Sequence, residues 1–145
     1  MRVLVDTNIL TRLRDLGHPR HDVCVLALEK LESGPDDPCV CAQVMIEYWA
    51  VATRPREVNG LALDPDQVEG DLQEFARAFL LLPEPPDMAA RWRALASQYA
   101  VRGRQVHDTR LVALMLAHGV THVLTMNAAD FARYSGITCV APEDV

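Results

Sequence analysis

A chain of 145 residues, half of them apolar, is long enough to build one cored domain, and none of its apolar runs approaches a membrane span. A net charge of −6 excludes a protein that coats nucleic acid through a broad basic surface. The chain opens without a charged leader, apolar stretch and small-residue cleavage site, so a single domain over residues 1–145, in the cytoplasm, is expected.

Val3, Leu4 and Val5 form an apolar run without alternation, as suits a strand buried on both faces of a parallel sheet. It stops on Asp6, and Thr7 and Asn8 are good N-caps for a helix from about Ile9 to Asp15. A second helix is predicted over Asp22 to Leu31, with Val23, Leu26, Ala27 and Leu31 on its apolar face. Pro38 to Cys41 reads as a strand, and Gln43 to Thr53 as a helix ended by Arg54-Pro55. Asp64-Pro65 opens a helix to about Ala78, followed by a strand at Phe79 to Leu82 that Pro83 halts.

Pro86-Asp87 starts a helix to about Val101, and His107-Asp108 opens another through Ala117 that closes at His118-Gly119. Val120 to Thr125 is a strand, Asp130 to Tyr134 a helical turn and Ile137 to Val140 a last strand. The alternation predicts an α/β fold, a three-layer sandwich whose parallel sheet of four to five strands is flanked by helices.

Cys24, Cys39, Cys41 and Cys139 offer one close pair and no second one, which fits reduced core thiols rather than a zinc site. His18, His21, His118 and His122 fall at element ends with no ligand spacing. Only Lys30 is a lysine; the other fixed cations are arginines, several in pairs such as Arg54/Arg56 and Arg102/Arg104. Arginine suits bidentate phosphate contact, and solvated helix faces account for such pairs equally well.

Four acids carry the chemistry. Asp6 sits at a strand's carboxyl end, where open parallel sheets bind ligands. Glu47 is surrounded by Val44, Met45, Ile46, Tyr48, Trp49 and Val51, so its carboxylate must be protonated, bound to a metal or paired, for instance with Arg54. Asp108 shares a helix side with Leu111, Val112 and Met115, although the helix dipole alone is a sufficient reason for Asp in a first turn. Asp130 follows the strand ending at Thr125, where it and Asn127 could also serve as caps.

Carboxylates converging on one crevice repel by roughly 3 kcal/mol per pair at ~5 Å and an effective dielectric of about 20. A divalent cation relieves this, and an all-oxygen donor set suits Mg²⁺ or Mn²⁺. Such an ion supports phosphodiester chemistry.

The pattern resembles the PIN-domain family, especially the VapC-type toxin ribonucleases. The anchors are Val5-Asp6-Thr7-Asn8, Glu47 with Ala52-Thr53-Arg54-Pro55, His107-Asp108-Thr109-Arg110-Leu111, and Leu124-Thr125-Met126-Asn127-Ala128-Ala129-Asp130. The resemblance implies a Mg²⁺-dependent endoribonuclease (Mn²⁺ as a substitute) with Asp6, Glu47 and Asp108 as metal-binding acids. Asp6 and Asp108 would bind the ion most directly, and Glu47 would orient water. Many members carry Asp at the Asn127 position; here Asp130, three residues on, is the preferred fourth acid. Thr7, Asn8, Thr125 and Asn127 then orient the acids, a water or a phosphate, and Arg54, Arg104 and Arg110 are candidate RNA phosphate ligands. The family also implies a homodimer and a cognate antitoxin, and the lack of a membrane-length apolar run leaves no membrane role expected.

Other readings compete. A catalytically degenerate PIN scaffold that binds RNA or protein is kept open by Asn127. A flap-type DNA nuclease would want more acids and added gripping segments. A receiver-like phosphate-accepting module uses a lysine at a late strand end, and neither late strand ends on one. His107-Asp108 spells the dyad of HD-type phosphohydrolases, whose all-helical frame the strand–helix alternation denies.

Overall fold

The opening apolar run is strand β1 (Arg2–Val5), and Val3, Leu4 and Val5 are buried. In the computed structural model, which describes residues 1–145, five parallel strands form one sheet in the order β3-β2-β1-β4-β5. They are β1, β2 (Asp37–Cys41), β3 (Leu80–Leu82), β4 (His122–Leu124) and β5 (Thr138–Val140). Six helices accompany them: α1 (Thr7–Arg14), α2 (His21–Ser33), α3 (Ala42–Thr53), α4 (Pro65–Ala78), α5 (Met88–Gln98) and α6 (Gln105–Ala117). This is the expected α/β sandwich, with all five strands in one parallel sheet.

The connections define where the site lies. From β1 the chain steps outward to β2 and β3, then returns across the sheet to place β4 on the other side of β1. Right-handed crossovers put α1 to α4 on one face and α5 with α6 on the other. A crevice therefore opens past the carboxyl ends of β1 and β4, where the strand order reverses.

Several boundaries differ from the sequence expectation, each for a local reason. Asp6 is itself the N-cap of α1, its side chain accepting from the Thr7 amide at 2.7 Å, so the helix begins at Thr7. Helix α2 buries Cys24, Ala27, Leu28 and Leu31 and leaves Leu26 56% exposed; the apolar stripe is rotated by one residue. Helix α5 stops at Gln98 because the backbone turns left-handed at Ala100 (φ 48°). Helix α6 begins at Gln105, so Asp108 lies in its first turn but does not open it.

The expected helical turn over Asp130 to Tyr134 is instead one tight 3₁₀ turn at Ala128–Asp130. Phe131 and Tyr134 beyond it act as buried anchors. Strand β4 is shorter than Val120–Thr125, though the Thr125 amide still donates to Val140 across the sheet at 3.1 Å. Helix α4 starts as expected, with Asp64 and Gln67 forming a capping box that spans Pro65. The core joins the strands to Tyr48, Phe75, Phe79, Val112 and Met115, with Tyr48 and Phe75 edge to face at 5.1 Å. All four cysteines are free, and Cys24, Cys39 and Cys41 are buried.

Candidate functional site

Asp6 is built from both neighbouring strands. Its backbone amide donates to Leu124 of β4, so the side chain emerges at the reversal point. Oδ1 accepts from the Thr7 amide, and Oδ2 accepts from Thr125 Oγ1 at 2.7 Å and Asn8 Nδ2 at 2.9 Å. Asn8 also donates to Thr125 Oγ1, and its own Oδ1 accepts from the Met126 amide. This closed network leaves Asp6 one orientation.

Glu47 reaches the same crevice from the second turn of α3. Its Oε2 accepts from Thr7 Oγ1 at 3.0 Å and its Oε1 from Gln43 Nε2 at 3.0 Å. The sequence left pairing with Arg54 open; no such pair forms. Arg54 caps the C-terminus of α3 in an exposed position, away from the cleft.

Gln43, Glu47, Arg104, Asp108, Arg110 and Asp130 line a cleft of about 720 Å³. Asp108 enters from the first turn of α6, half-buried, while Leu111, Val112 and Met115 on its helix are buried in the core. Asp130 enters from the turn after β4. Asn127 does not line the cleft; it is exposed, and its backbone amide donates to Thr125 Oγ1 at 3.0 Å.

Of the three arginines considered as phosphate ligands, Arg104 stands exposed on the rim without an ion pair. Arg110 is engaged within the protein, donating to Gln43 Oε1 at 2.8 Å and pairing with Glu84.

Burial and neighbouring acids raise the proton affinity of Asp108 and Asp6. The Asp108 carboxyl is pushed up to about 6, first by burial and then by the charges of Asp130, Asp6 and Glu47. Asp6 is also pushed up by burial, against the lowering hydrogen bonds from Thr125 and the Thr7 amide, with Glu47 and Asp130 adding to the rise. None of the chain's ion pairs involves Asp6, Glu47, Asp108 or Asp130. The four acids thus meet without an ion pair among them, although Arg104 and Arg110 line the same cleft.

The acids' charge and hard oxygen donors fit a small divalent cation. No three His, Cys, Asp or Glu side chains are already arranged to hold a metal ion. Mg²⁺ does not require that, because it commonly keeps several waters and uses one or two carboxylates.

One constituent of the site left little trace in the sequence. Gln43 is buried beneath the cleft and contacts both Glu47 and the backbone carbonyl before Asp108. The only available signal was its position four residues before Glu47 on one helix.

Comparison with known proteins agrees with this architecture. Ribonuclease VapC48 of Mycobacterium tuberculosis is 26% identical over 134 residues, spanning 91% of each chain. The VapBC2 structure from Rickettsia felis, bound to a DNA fragment from its promoter, contains a chain that superposes with a TM-score of 0.74 at 15% identity. That match covers 97% of this chain and 98% of the other. Mycobacterium tuberculosis VapC20, described as a sarcin–ricin loop cleaving toxin, gives a TM-score of 0.66 at 16% identity, covering 90% and 93%. The family described as PIN domain matches residues 3–137, nearly the full length, and with β1 ending on Asp6 at the reversal point of a five-stranded parallel sheet, this chain belongs to the PIN-domain family.

Proposed function

We propose that this protein is a Mg²⁺-dependent endoribonuclease, the toxin of a toxin–antitoxin pair, acting as a single domain over residues 1–145. The observation that carries the reading is the acid cluster without an ion pair, with the Asp108 carboxyl pushed up to about 6 by burial and by Asp130, Asp6 and Glu47. Similarity to a protein named as a ribonuclease, and a shared fold with one described as cleaving the sarcin–ricin loop, support the choice of RNA.

Asp6, Asp108 and Glu47 would hold the ion, with Asp130 as the fourth acid in preference to Asn127. When bound, Mg²⁺ supplies a water of lowered pKa and stabilises charge on the phosphodiester. The chain's residues do the rest. Thr125, Asn8 and the Thr7 amide hold Asp6, while Thr7 Oγ1 and Gln43 hold Glu47. Arg104 on the rim attracts the RNA backbone into an otherwise negative cleft. Single-stranded or loop RNA is the expected substrate, because its backbone is accessible to such a site.

The relatives' fold occurs in toxin–antitoxin complexes, which supports a cognate antitoxin as partner, and a homodimer is expected by the same family likeness. No helix is long and apolar enough to cross a membrane, and action in the cytoplasm is part of the proposal.

Cleavage of a structured RNA with Mg²⁺, with chelator and Asp6→Asn as controls, tests the mechanism. Undiminished cleavage by Asp6→Asn overturns it. Titration calorimetry with Mn²⁺ separates the nuclease from a degenerate binding scaffold, which would show no site-specific binding.

A further inference from the structure

Taking the cleft as the metal-dependent site proposed above, we propose that Gln43 is a positioning residue for Glu47, and that Arg110, braced by Glu84, sets the orientation of its amide. Gln43 is 8% exposed, and its three polar contacts are all within the protein. Nε2 donates to Glu47 Oε1 at 3.0 Å and to the His107 carbonyl at 2.8 Å, and Oε1 accepts from Arg110 Nη1 at 2.8 Å.

The partners determine which way the amide faces. A flipped amide would aim its oxygen at two acceptors and its NH₂ at a guanidinium, which has only donors. Arg110 therefore selects the orientation that delivers an N–H to Glu47. Thr7 Oγ1 holds the other carboxylate oxygen at 3.0 Å, so Glu47 is suspended between α1 and its own helix.

Gln43 also links two acid-bearing elements. The His107 carbonyl immediately precedes Asp108, so one side chain on α3 touches the Glu47 carboxylate and the backbone that carries Asp108. Its geometry sets the spacing of these two acids. Arg110 Nη2 pairs with Glu84 in the segment Pro83-Glu84-Pro85-Pro86, whose prolines restrict the backbone around it. Both terminal nitrogens of Arg110 are thus committed to protein partners, and it acts on the site through Gln43 rather than as a phosphate ligand.

The test is Mn²⁺ titration calorimetry and RNA cleavage kinetics on the wild type, Gln43→Leu, Arg110→Met and the double variant, with thermal unfolding run alongside. Gln43→Leu is expected to bind Mn²⁺ about 10-fold more weakly and to lower kcat with little change in KM. Arg110→Met is expected to lose less in the same direction, and the double variant to lose no more than Gln43→Leu, as for groups acting in series.

Wild-type Mn²⁺ affinity in folded Gln43→Leu overturns the proposal while leaving the metal site standing. An Arg110→Met loss confined to KM, or fully additive to that of Gln43→Leu, overturns the relay in favour of an independent phosphate contact. If Gln43→Leu does not fold, half-exposed Arg110→Met decides alone: unchanged Mn²⁺ affinity refutes the relay. A wild type that binds no Mn²⁺ removes the metal-site reading and this proposal with it.

Discussion

Two corners of the cleft treat their acids in opposite ways. Asp6 lies at the meeting of β1 and β4, where the Asn8 and Thr125 side chains and the Thr7 amide close a network around it. Asp108 and Asp130 lie across the cleft on a helix turn and a 3₁₀ turn, with no side-chain hydrogen bond to either carboxyl. Burial raises the proton affinity of Asp6, and its donors partly offset that rise. At Asp108 nothing but a weak His107 contribution opposes burial and the neighbouring charges. The first corner is pre-organised; the second stores repulsion that a cation would release. A site built this way presents held carboxylates at Asp6 and Glu47 and lets Asp108 and Asp130 adjust.

The largest expected effect comes from the fixed corner. Asp6→Asn keeps the helix cap, since Asn and Asp cap equally well, so the fold is retained. It removes the carboxylate around which the network is built. Cleavage should fall by about three orders of magnitude, the scale of several kcal/mol of lost charge stabilisation. Single-turnover RNA cleavage measures this, and a loss below about 10-fold would show that the ordered corner is not where the chemistry is anchored.

Asn8→Ala comes next. It deletes two donors, one to Asp6 and one to Thr125, and strands the Met126 amide. Metal affinity is expected to weaken by about 10- to 100-fold. Mn²⁺ calorimetry reads it directly. If the affinity is unchanged, Thr125 and the Thr7 amide suffice and the comparison between the corners loses its basis.

The difference between the corners also explains what could be read from the sequence. Asp6 was legible because an apolar run ending on an acid is a local pattern with a topological meaning. Glu47 was legible because an acid among Val44, Ile46, Tyr48 and Val51 conflicts with its surroundings. Gln43 was not, because its partners His107 and Arg110 lie 64 and 67 residues away and a polar residue in a first helical turn is unremarkable locally.

The same reasoning covers the fold. The alternation of strands and helices follows from apolar runs and punctuation, and five strands were within the expected range, whereas their order in the sheet is set by the crossovers. The turn after β4 misled, because Phe131 and Tyr134 sit at a helical spacing. Their spacing instead serves core insertion, with Tyr134 Oη against Thr109 Oγ1 at 2.6 Å. The surroundings of Arg110 were not legible either, because the partners of its guanidinium, Gln43 and Glu84, lie 67 and 26 residues away.

A smaller effect is expected at the rim. Arg104→Ala removes an exposed cation that makes no ion pair, leaving the acids and their donors untouched. KM for RNA should rise several-fold with kcat nearly unchanged, and the salt dependence of binding should fall by about one unit of slope. Binding titrations at two or more salt concentrations measure this. An equal fall in kcat would place Arg104 in the acid network rather than on the substrate path.

The smallest effect concerns stability and runs against activity. An acid whose proton affinity is raised on folding makes the native state bind more protons than the unfolded chain between its two pKa values. Stability therefore falls as pH rises through that interval and is flat above it. For Asp108 the window runs from the ordinary 3.8 to about 6, and the rise at Asp6 acts in the same direction. The metal-free protein should thus be less stable at pH 7 than at pH 4.5, as far as these acids decide.

Asp108→Asn should remove much of the difference. Solvent screening of a half-exposed carboxyl discounts its contribution, leaving a gain of about 1 kcal/mol at pH 7, or roughly 2–4 °C in Tm. The gain should shrink towards pH 4, where the wild-type carboxyl is protonated. Mg²⁺ should raise the Tm of the wild type by linkage and leave the variant nearly unmoved. A variant that instead loses stability at pH 7 would mean that the dipole of α6 holds Asp108 as a structural acid, and the second corner would then store no repulsion for a cation to release.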